Sequence, residues 1–152
     1  MLIRRVIPVA LLLMLLFGST QAQNWIGVRS GFPWGANVHY GLGDAFGAGS
    51  HGRVSLALRG SDFGVGFDFL NTLSVEPPFE IYVGGGPLLL IGGNGLLVDL
   101  HAFLGGEFVL SDLDLEELGI FAELGLGGGI GFGSRAHENA TVRGALGFNY
   151  RF

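Results

Sequence analysis

Two groups of residues in this sequence have the side chains that acyl-transfer or hydrolytic chemistry uses. Ser134, His137 and Glu138 lie close together near the end of the chain, and a second group is spread along it: Ser55, Asp99, His101 and Glu107. In such chemistry a histidine takes the proton of a nucleophilic serine, and a carboxylate orients the histidine. The spacing of the first group matches no deacylase or acyltransferase motif, so residue types alone suggest this chemistry.

The pair Asp99 and His101 has a second and simpler interpretation. Residues two apart on a strand share a face, so Asp99 either orients His101 for catalysis or joins it in a buried polar network. We favour the network and predict no enzyme, no metal and no cofactor. The glycine runs 84–86 and 127–129 lack the following helix of a phosphate loop, and no metal-ligand spacing connects His39, His51, His101 and His137.

Alternation of apolar and polar residues indicates the elements that must position these side chains. Side chains along a β-strand point to opposite faces with period two. Eight segments show the pattern and predict an all-β fold: Trp25–Ser30, Trp34–Tyr40, Arg53–Arg59, Asp62–Leu70, Phe79–Ile91, Leu96–Leu110, Leu118–Phe132 and Thr141–Phe152. Loops are predicted at 41–52 and 71–78, and an acidic loop or a single helical turn at 111–117. A bulge or a strand end is predicted near Pro87, since proline removes a ladder hydrogen bond.

One face of every segment is apolar, and the other carries all the charges of the strands. Glycine fills much of the polar face, and it is a poor residue for a strand surface exposed to water. Five arginines and six acidic residues on this face are close to balance. They predict an inward-facing network of paired charges, which His101 joins: Arg29, Arg53, Arg59, Asp62, Asp68, Glu80, Asp99, His101, Glu107, Glu123, Arg143 and Arg151.

The first residues have the layout of a secretory signal peptide. A basic start at Arg4 and Arg5 precedes an apolar run and a small-residue cleavage site before Gln23. The apolar run is too short for a membrane-spanning helix. We therefore predict a cleaved leader at 1–22, export, and one mature domain at 23–152.

Composition narrows the class of protein further. The 152 residues include 13 acidic and 8 basic side chains, all of the latter Arg, which argues against a nucleic-acid partner. Charged residues make up 14% and hydrophobic residues 49%, whereas soluble domains carry about 25% charge. No segment after the leader reaches the roughly 18 continuous apolar residues of a membrane helix. An exported, apolar chain of strands is typical of a membrane barrel, because only helices and closed barrels satisfy their backbones in lipid.

The last segment, Thr141–Phe152, carries the most specific pattern. Its even positions are apolar, aromatic or Gly, and aromatic residues alternate towards the end at Phe148, Tyr150 and Phe152. This pattern resembles the C-terminal strand of bacterial outer-membrane β-barrels, here of the small OmpA and OmpX type. In that family the barrel-assembly machinery reads the terminal aromatic pattern. The resemblance therefore implies an assembly signal at these three residues, contact with outer-membrane lipid, and location in the outer membrane of a bacterium with two membranes.

Together these features predict an eight-stranded antiparallel up-and-down transmembrane β-barrel after a cleaved signal peptide. We expect a structural or interaction role with a packed polar lumen and no open pore, since eight strands enclose only enough room for side chains. Two alternatives stay open: an outer-membrane lipid-modifying enzyme, and a soluble lipocalin-like ligand-binding barrel with the two faces inverted. The shorter connections fall on the side that the family would make extracellular, which reverses its usual pattern. The sequence leaves the oligomeric state open.

Overall fold

Eight antiparallel strands form the fold, which confirms the predicted all-β class. The computed structural model describes residues 23–33 and 35–152; the predicted leader 1–22 and Trp34 lie outside the described residues. Strands pair in chain order and β1 pairs with β8, so the sheet closes into a barrel. Their bounds are β1 (Trp25–Phe32), β2 (Gly35–Leu42), β3 (Ser50–Arg59), β4 (Asp62–Glu76), β5 (Phe79–Gly92), β6 (Gly95–Leu110), β7 (Leu115–Gly133) and β8 (Glu138–Arg151).

The connections between strands define the two ends of the barrel. We call one end the loop end; there β1 connects to β2, β3 to β4, β5 to β6 and β7 to β8. We call the opposite end, which holds both chain termini of the barrel, the terminal end. The terminal end carries the other three connections together with Asn24 and Phe152, whose backbones hydrogen-bond to each other. A 3-10 turn, Ser111–Leu113, stands in the predicted acidic segment. Within the described part of the chain, no helix has the length and apolarity to cross a bilayer.

Strand β4 is longer than the sequence pattern predicts. The predicted loop 71–78 is wrong for 71–76, because these residues pair with the start of β5 as far as Glu76 opposite Phe79. A register shift between Thr72 and Ser74 interrupts the pairing. The bulge and the polar residues hide the strand from a period-two pattern.

Pro87 lies within β5 without ending it, so the predicted bulge or strand end at this residue is wrong. Pairing of β5 with β6 runs unbroken past Pro87 opposite Leu100. Towards β4 the pairing omits Phe67 and Asp68 and resumes with Phe69 opposite Gly85 in the same register. Proline therefore interrupts the ladder only on the β4 side, where its missing N–H would have been a donor.

The two faces of the sheet differ in burial as the alternation predicts. Most apolar side chains of the strands point outward and are exposed, such as Leu124 at 64% and Leu146 at 68%. Most charged side chains of the same strands point into the barrel, and several are fully buried, such as Glu123 at 3% and Arg143 at 1%. The interior of this barrel is therefore polar where that of a soluble domain is apolar.

Candidate functional site

The candidate site is the inside of the barrel, where the structure places all twelve residues of the predicted charge network. They form three groups along the barrel. The central group comprises Arg29, Arg53, Asp68, Asp99, His101, Glu123 and Arg143. The group nearer the terminal end comprises Glu80, Glu107 and Arg151. The group at the loop end comprises Arg59 and Asp62.

Glu123 on β7 is the acceptor at the centre of the lumen. Arg29 Nη1 donates to its Oε2 at 2.7 Å, and Arg53 Nη1 donates to its Oε1 at 2.5 Å. The hydroxyl of Tyr82 donates to Oε1 at 3.1 Å. Donors on β1, β3 and β5 thus converge on one carboxylate that has no exposed surface. Bonds of this charge-assisted kind are among the strongest in proteins.

Asp68 on β4 is the second shared acceptor. Arg53 Nε donates to Oδ2 at 2.9 Å, and Nη2 of Arg53 and Nη2 of Arg29 lie 2.8 Å and 3.6 Å from the same oxygen. His101 Nε2 bonds to Oδ1 at 2.7 Å. The guanidinium of Arg53 also lies 5.0 Å from the ring centre of Phe103, a favourable cation–π distance. Arg53 therefore bridges two buried carboxylates.

Asp99 and Arg143 complete the central group as a two-pronged ion pair. Arg143 Nη1 donates to Oδ1 at 2.6 Å, and Nη2 donates to Oδ2. His101 Nδ1 lies 3.3 Å from Asp99 Oδ1, so Asp99 and His101 are in contact. Because His101 also bonds to Asp68, it connects the Asp99–Arg143 pair to the rest of the central group.

The hydrogen bonds of the two candidate histidines differ from those of a serine–histidine–acid triad. Both ring nitrogens of His101 bond to carboxylates, whereas a catalytic base needs one nitrogen to accept a proton. In a serine–histidine–acid triad the Nδ1–H of histidine donates to the acid. Nδ1 of His137 instead accepts the backbone N–H of Gly131 at 3.1 Å. Neither predicted group has the hydrogen bonds of such a triad.

Sequence reasoning missed several uncharged partners in the lumen. Asn37 Oδ1 accepts from Arg29 Nε at 2.7 Å. The amide of Asn149 accepts from His39 Nε2 at 2.8 Å and donates to Glu107 Oε2 at 2.9 Å. Tyr82, which bonds to Glu123, is a further case. Alternation had already assigned these residues to the polar face, so selecting every polar residue on that face would have found them.

Arg151 links two carboxylates near the terminal end. Its Nη2 lies 3.1 Å from Glu80 and 3.0 Å from Glu107. The hydroxyl of Thr72 donates to Glu80 Oε1 at 2.9 Å. A cavity of about 260 Å³ opens beside these groups, and it is also lined by His51. Among the described residues, no group of three His, Cys, Asp or Glu is placed to hold a metal ion.

An apolar layer lies inside the barrel, on the loop-end side of the buried charges of β3 and β6. Its side chains point inward, and two of them, Leu90 and Leu97, have no exposed surface. The layer consists of Ala57, Leu88, Leu90, Leu97 and Ala145. The lumen therefore contains an apolar part beside the charged one, which the prediction of a polar lumen did not include.

Inward glycines leave the space that the long charged side chains fill. A side chain carbon added at Gly127 would lie 2.6 Å from Arg143 Nε and 2.7 Å from the Cβ of His101. One added at Gly119 would overlap the carboxylate of Glu107. These contacts are shorter than van der Waals packing permits. The glycines of the inward face therefore provide the space that the charge network occupies.

Two ion pairs beyond the apolar layer form the rim of the loop end. Arg59 Nη2 lies 2.9 Å from Glu138, and Arg135 Nη1 lies 2.6 Å from Asp62. Arg135 is not a member of the predicted network. Its pairing with Asp62 is therefore a feature that only the folded chain reveals.

Replacing Arg59 by Gln is expected to lower the free energy of unfolding by no more than about 1 kcal/mol, because exposed ion pairs are weak. Both side chains of this pair are 27% exposed. Urea unfolding of the refolded barrel measures the effect, with Glu138→Gln as the matched variant of the partner. A loss above about 2 kcal/mol in either variant would show that the rim pair behaves as a buried one.

Comparisons with known proteins give a fold similarity and no family. No protein-family model matches the chain, and no curated protein matches it. Among solved structures, the crystal structure of Neisserial surface protein A is similar, with a TM-score of 0.47 and 10% sequence identity. The similarity covers 86% of this chain and 96% of that one.

Proposed function

We propose that this chain is a small integral outer-membrane β-barrel protein of structural or interaction type, exported by the leader 1–22. The observation that carries the proposal is the inverted arrangement of its faces. Outward side chains such as Leu100, at 61% exposed, are apolar, whereas Asp99 beside it is 1% exposed. In water this exterior would be unfavourable, but in lipid an apolar band around a polar interior is the stable arrangement. A lipocalin-like carrier needs the opposite arrangement.

The proposed lumen is closed to ions. Charged side chains bond across the barrel in the central group, and the apolar layer of Leu90 and its neighbours follows. An eight-stranded barrel encloses little more space than its side chains fill. The barrel inserted in a planar bilayer is therefore expected to show no steady conductance. Stable conducting steps would contradict a closed lumen while leaving the membrane location intact.

Fractionation of the expressed full chain, followed by gel migration with and without boiling, tests the proposal. A membrane barrel should appear in the outer-membrane fraction and migrate differently before boiling, because the folded barrel resists the detergent. Recovery as a soluble periplasmic protein with no shift on boiling would overturn the proposal. It would make a soluble ligand-binding barrel the leading explanation.

We further propose that the barrel-assembly machinery recognises the aromatic residues of β8 and its end. Phe148, Tyr150 and Phe152 are outward and exposed at 57%, 49% and 60%. The ring of Phe152 lies 6.3 Å from that of Tyr40 and 6.4 Å from that of Tyr150. Tyr150 and Phe152 thus form an aromatic surface with Tyr40 of β2, and Phe148 lies on the same outer face of β8.

Replacing Phe152 by Ala is expected to lower the yield of heat-modifiable barrel in the outer membrane several-fold, while export and leader cleavage continue. The matched control is Phe132→Ala, which removes an outward ring of similar exposure, 51%, at the other end of the barrel. Quantitative blotting of outer-membrane and periplasmic fractions measures both. Equal yields from the two variants would show that Phe152 does not act as an assembly signal.

A further inference from the structure

The wall of the barrel has very different heights on opposite sides. Strands β1 and β2 have 8 residues each, whereas β6 has 16 and β7 has 19. With a rise of about 3.3 Å per residue and a tilt of about 40°, 8 residues span about 18 Å along the barrel axis and 16 residues about 38 Å. We call the outer face of β1, β2 and β3 the short wall, and that of β5, β6 and β7 the tall wall.

The extra height is present at both ends of the barrel, so tilting the whole molecule does not remove it. At the terminal end, β3 begins with Ser50 opposite Asn71, and β4 continues beyond this pair through 72–76. At the loop end, β1 ends with Phe32 opposite Gly144, and β8 extends beyond this pair through 138–143. Level rims would show a stagger of only about one residue per strand. The two rims therefore diverge from the short wall to the tall wall.

The apolar outer surface ends closer to the middle of the barrel on the short wall than on the tall wall. Apart from the hydroxyl of Ser30, the outward side chains of the short wall are apolar up to Leu42 at the end of β2, and the carboxylate of Asp44, 46% exposed, follows two residues later. On β7 the acidic residues Glu116 and Glu117 precede an outward apolar series that ends at Phe132. The apolar surface is thus about half as tall on the short wall as on the tall wall.

The loop 43–49 holds this boundary in place. Phe46 lies on the outer face with its ring 6.3 Å from that of Phe67 and 5.4 Å from that of Phe69. The carboxylate of Asp44 accepts the backbone N–H of Gly49 at 2.7 Å. The charged group is therefore fixed at the rim by the same loop that packs Phe46 against the barrel.

Resting on the function proposed above, we propose that the bilayer is thinned where it meets the short wall. An outer-membrane barrel usually presents an apolar band about 25 Å tall, and strands that cross a bilayer usually have about 9–11 residues. Strands β1 and β2 fall below this length, and β6 and β7 exceed it. The headgroup layers of the two leaflets therefore lie closer to each other beside β1–β3 than beside β5–β7, and bilayer thickness changes around the barrel.

The size of the short wall favours lipid over a second copy of the chain as its occupant. Three strands about 4.8 Å apart, two of them about 18 Å tall and β3 about 23 Å tall, present roughly 280 Å². A specific protein interface usually buries about 800 Å² on each partner. The face is also convex, which reduces the contact that two copies can make. Lipid chains adapt to such a surface without a matching partner.

Two positions on opposite walls allow a direct test, since the chain has no native cysteine. Val38 is near the middle of β2 and 49% exposed, and Leu104 is near the middle of β6 and 55% exposed. Val38→Cys and Leu104→Cys are labelled with a nitroxide in the full mature barrel and inserted in dioleoylphosphatidylcholine vesicles. Collision with oxygen and with a water-soluble nickel complex reports the depth of each label. Val28→Cys supplies a second label on the short wall, and unboiled gel migration verifies folding of each variant.

The label at Val38 is expected to lie up to about 6 Å nearer to water than the label at Leu104, half of the difference between an 18 Å wall and a core of about 30 Å. The difference should shrink in dilauroylphosphatidylcholine, whose bilayer already matches the short wall. Equal depths in the thicker bilayer would overturn the inference, and so would dipolar broadening at Val38, which would place a second copy there. Labels in water at both positions would instead overturn the proposed membrane location, and this inference with it.

Discussion

Glu123→Gln is expected to lower the free energy of unfolding of the barrel by about 3–5 kcal/mol, the cost of breaking a buried ion pair from one side. The carboxylate of Glu123 accepts from Arg29, Arg53 and Tyr82, and it has no exposed surface. Glutamine keeps the shape but removes the charge. Two buried guanidinium groups then share Asp68 as their carboxylate partner in this part of the lumen.

Urea titration of the refolded barrel measures this loss, and the control is the same substitution at an exposed glutamate. Glu117→Gln removes a carboxylate from the same strand at an exposed position, where a surface substitution is expected to change stability by less than about 0.5 kcal/mol. The double variant Glu123→Gln with Arg53→Gln should be less destabilised than the sum of the two single variants, because the pair is coupled. A Glu123→Gln barrel as stable as the Glu117→Gln barrel would show that the central group does not stabilise the fold.

Leu124→Arg is expected to lower the stability of the membrane-inserted barrel by about 2–4 kcal/mol, the range for arginine near the middle of the lipid face. Leu124 is outward, 64% exposed, and flanked by outward Ala122 and Leu126 on β7. In water the same substitution would cost little, because an exposed arginine is well solvated. The size of the effect therefore reports which solvent the outer face meets.

Unfolding in vesicles measures the effect, with Leu124→Met as the control that keeps an apolar side chain. Arginine at the inward neighbour Gly125 is not a suitable comparison, because even a Cβ there would overlap the backbone oxygen of Ala102. Equal stability of the arginine and methionine variants would contradict the assignment of the outer face to lipid.

The faces of the strands could be read from the sequence because the period of two is a local property. Val98, Leu100 and Ala102 are outward and Asp99 and His101 are inward on β6, as alternation predicts. Where apolar and polar residues do not alternate, the strand cannot be predicted from this pattern. The polar stretch after Leu70 continues as strand because β5 pairs with it, and this pairing is a property of two segments together.

The partners inside the lumen could not be read from the sequence. Arg29 and Glu123 are 94 residues apart, and their bond depends on how the closed barrel sets β1 across from β7. The shared face of Asp99 and His101 was predictable, but the additional bond of His101 to Asp68 was not. The alternation of residue types indicates which side chains point inward. The stagger of the strands and the closure of the barrel determine which of these side chains come into contact.

Sequence alone predicts the class of fold, the number of strands and the face of the charged residues in the alternating segments, because side-chain alternation follows from the geometry of a single extended chain. The assembled barrel sets which ion pairs form, where the apolar layer lies in the lumen, and how tall each wall of the barrel is. These features depend on the pairing of separate strands and on the closure of β1 with β8. Long-range register is a property of the whole sheet, and no short stretch of sequence contains it.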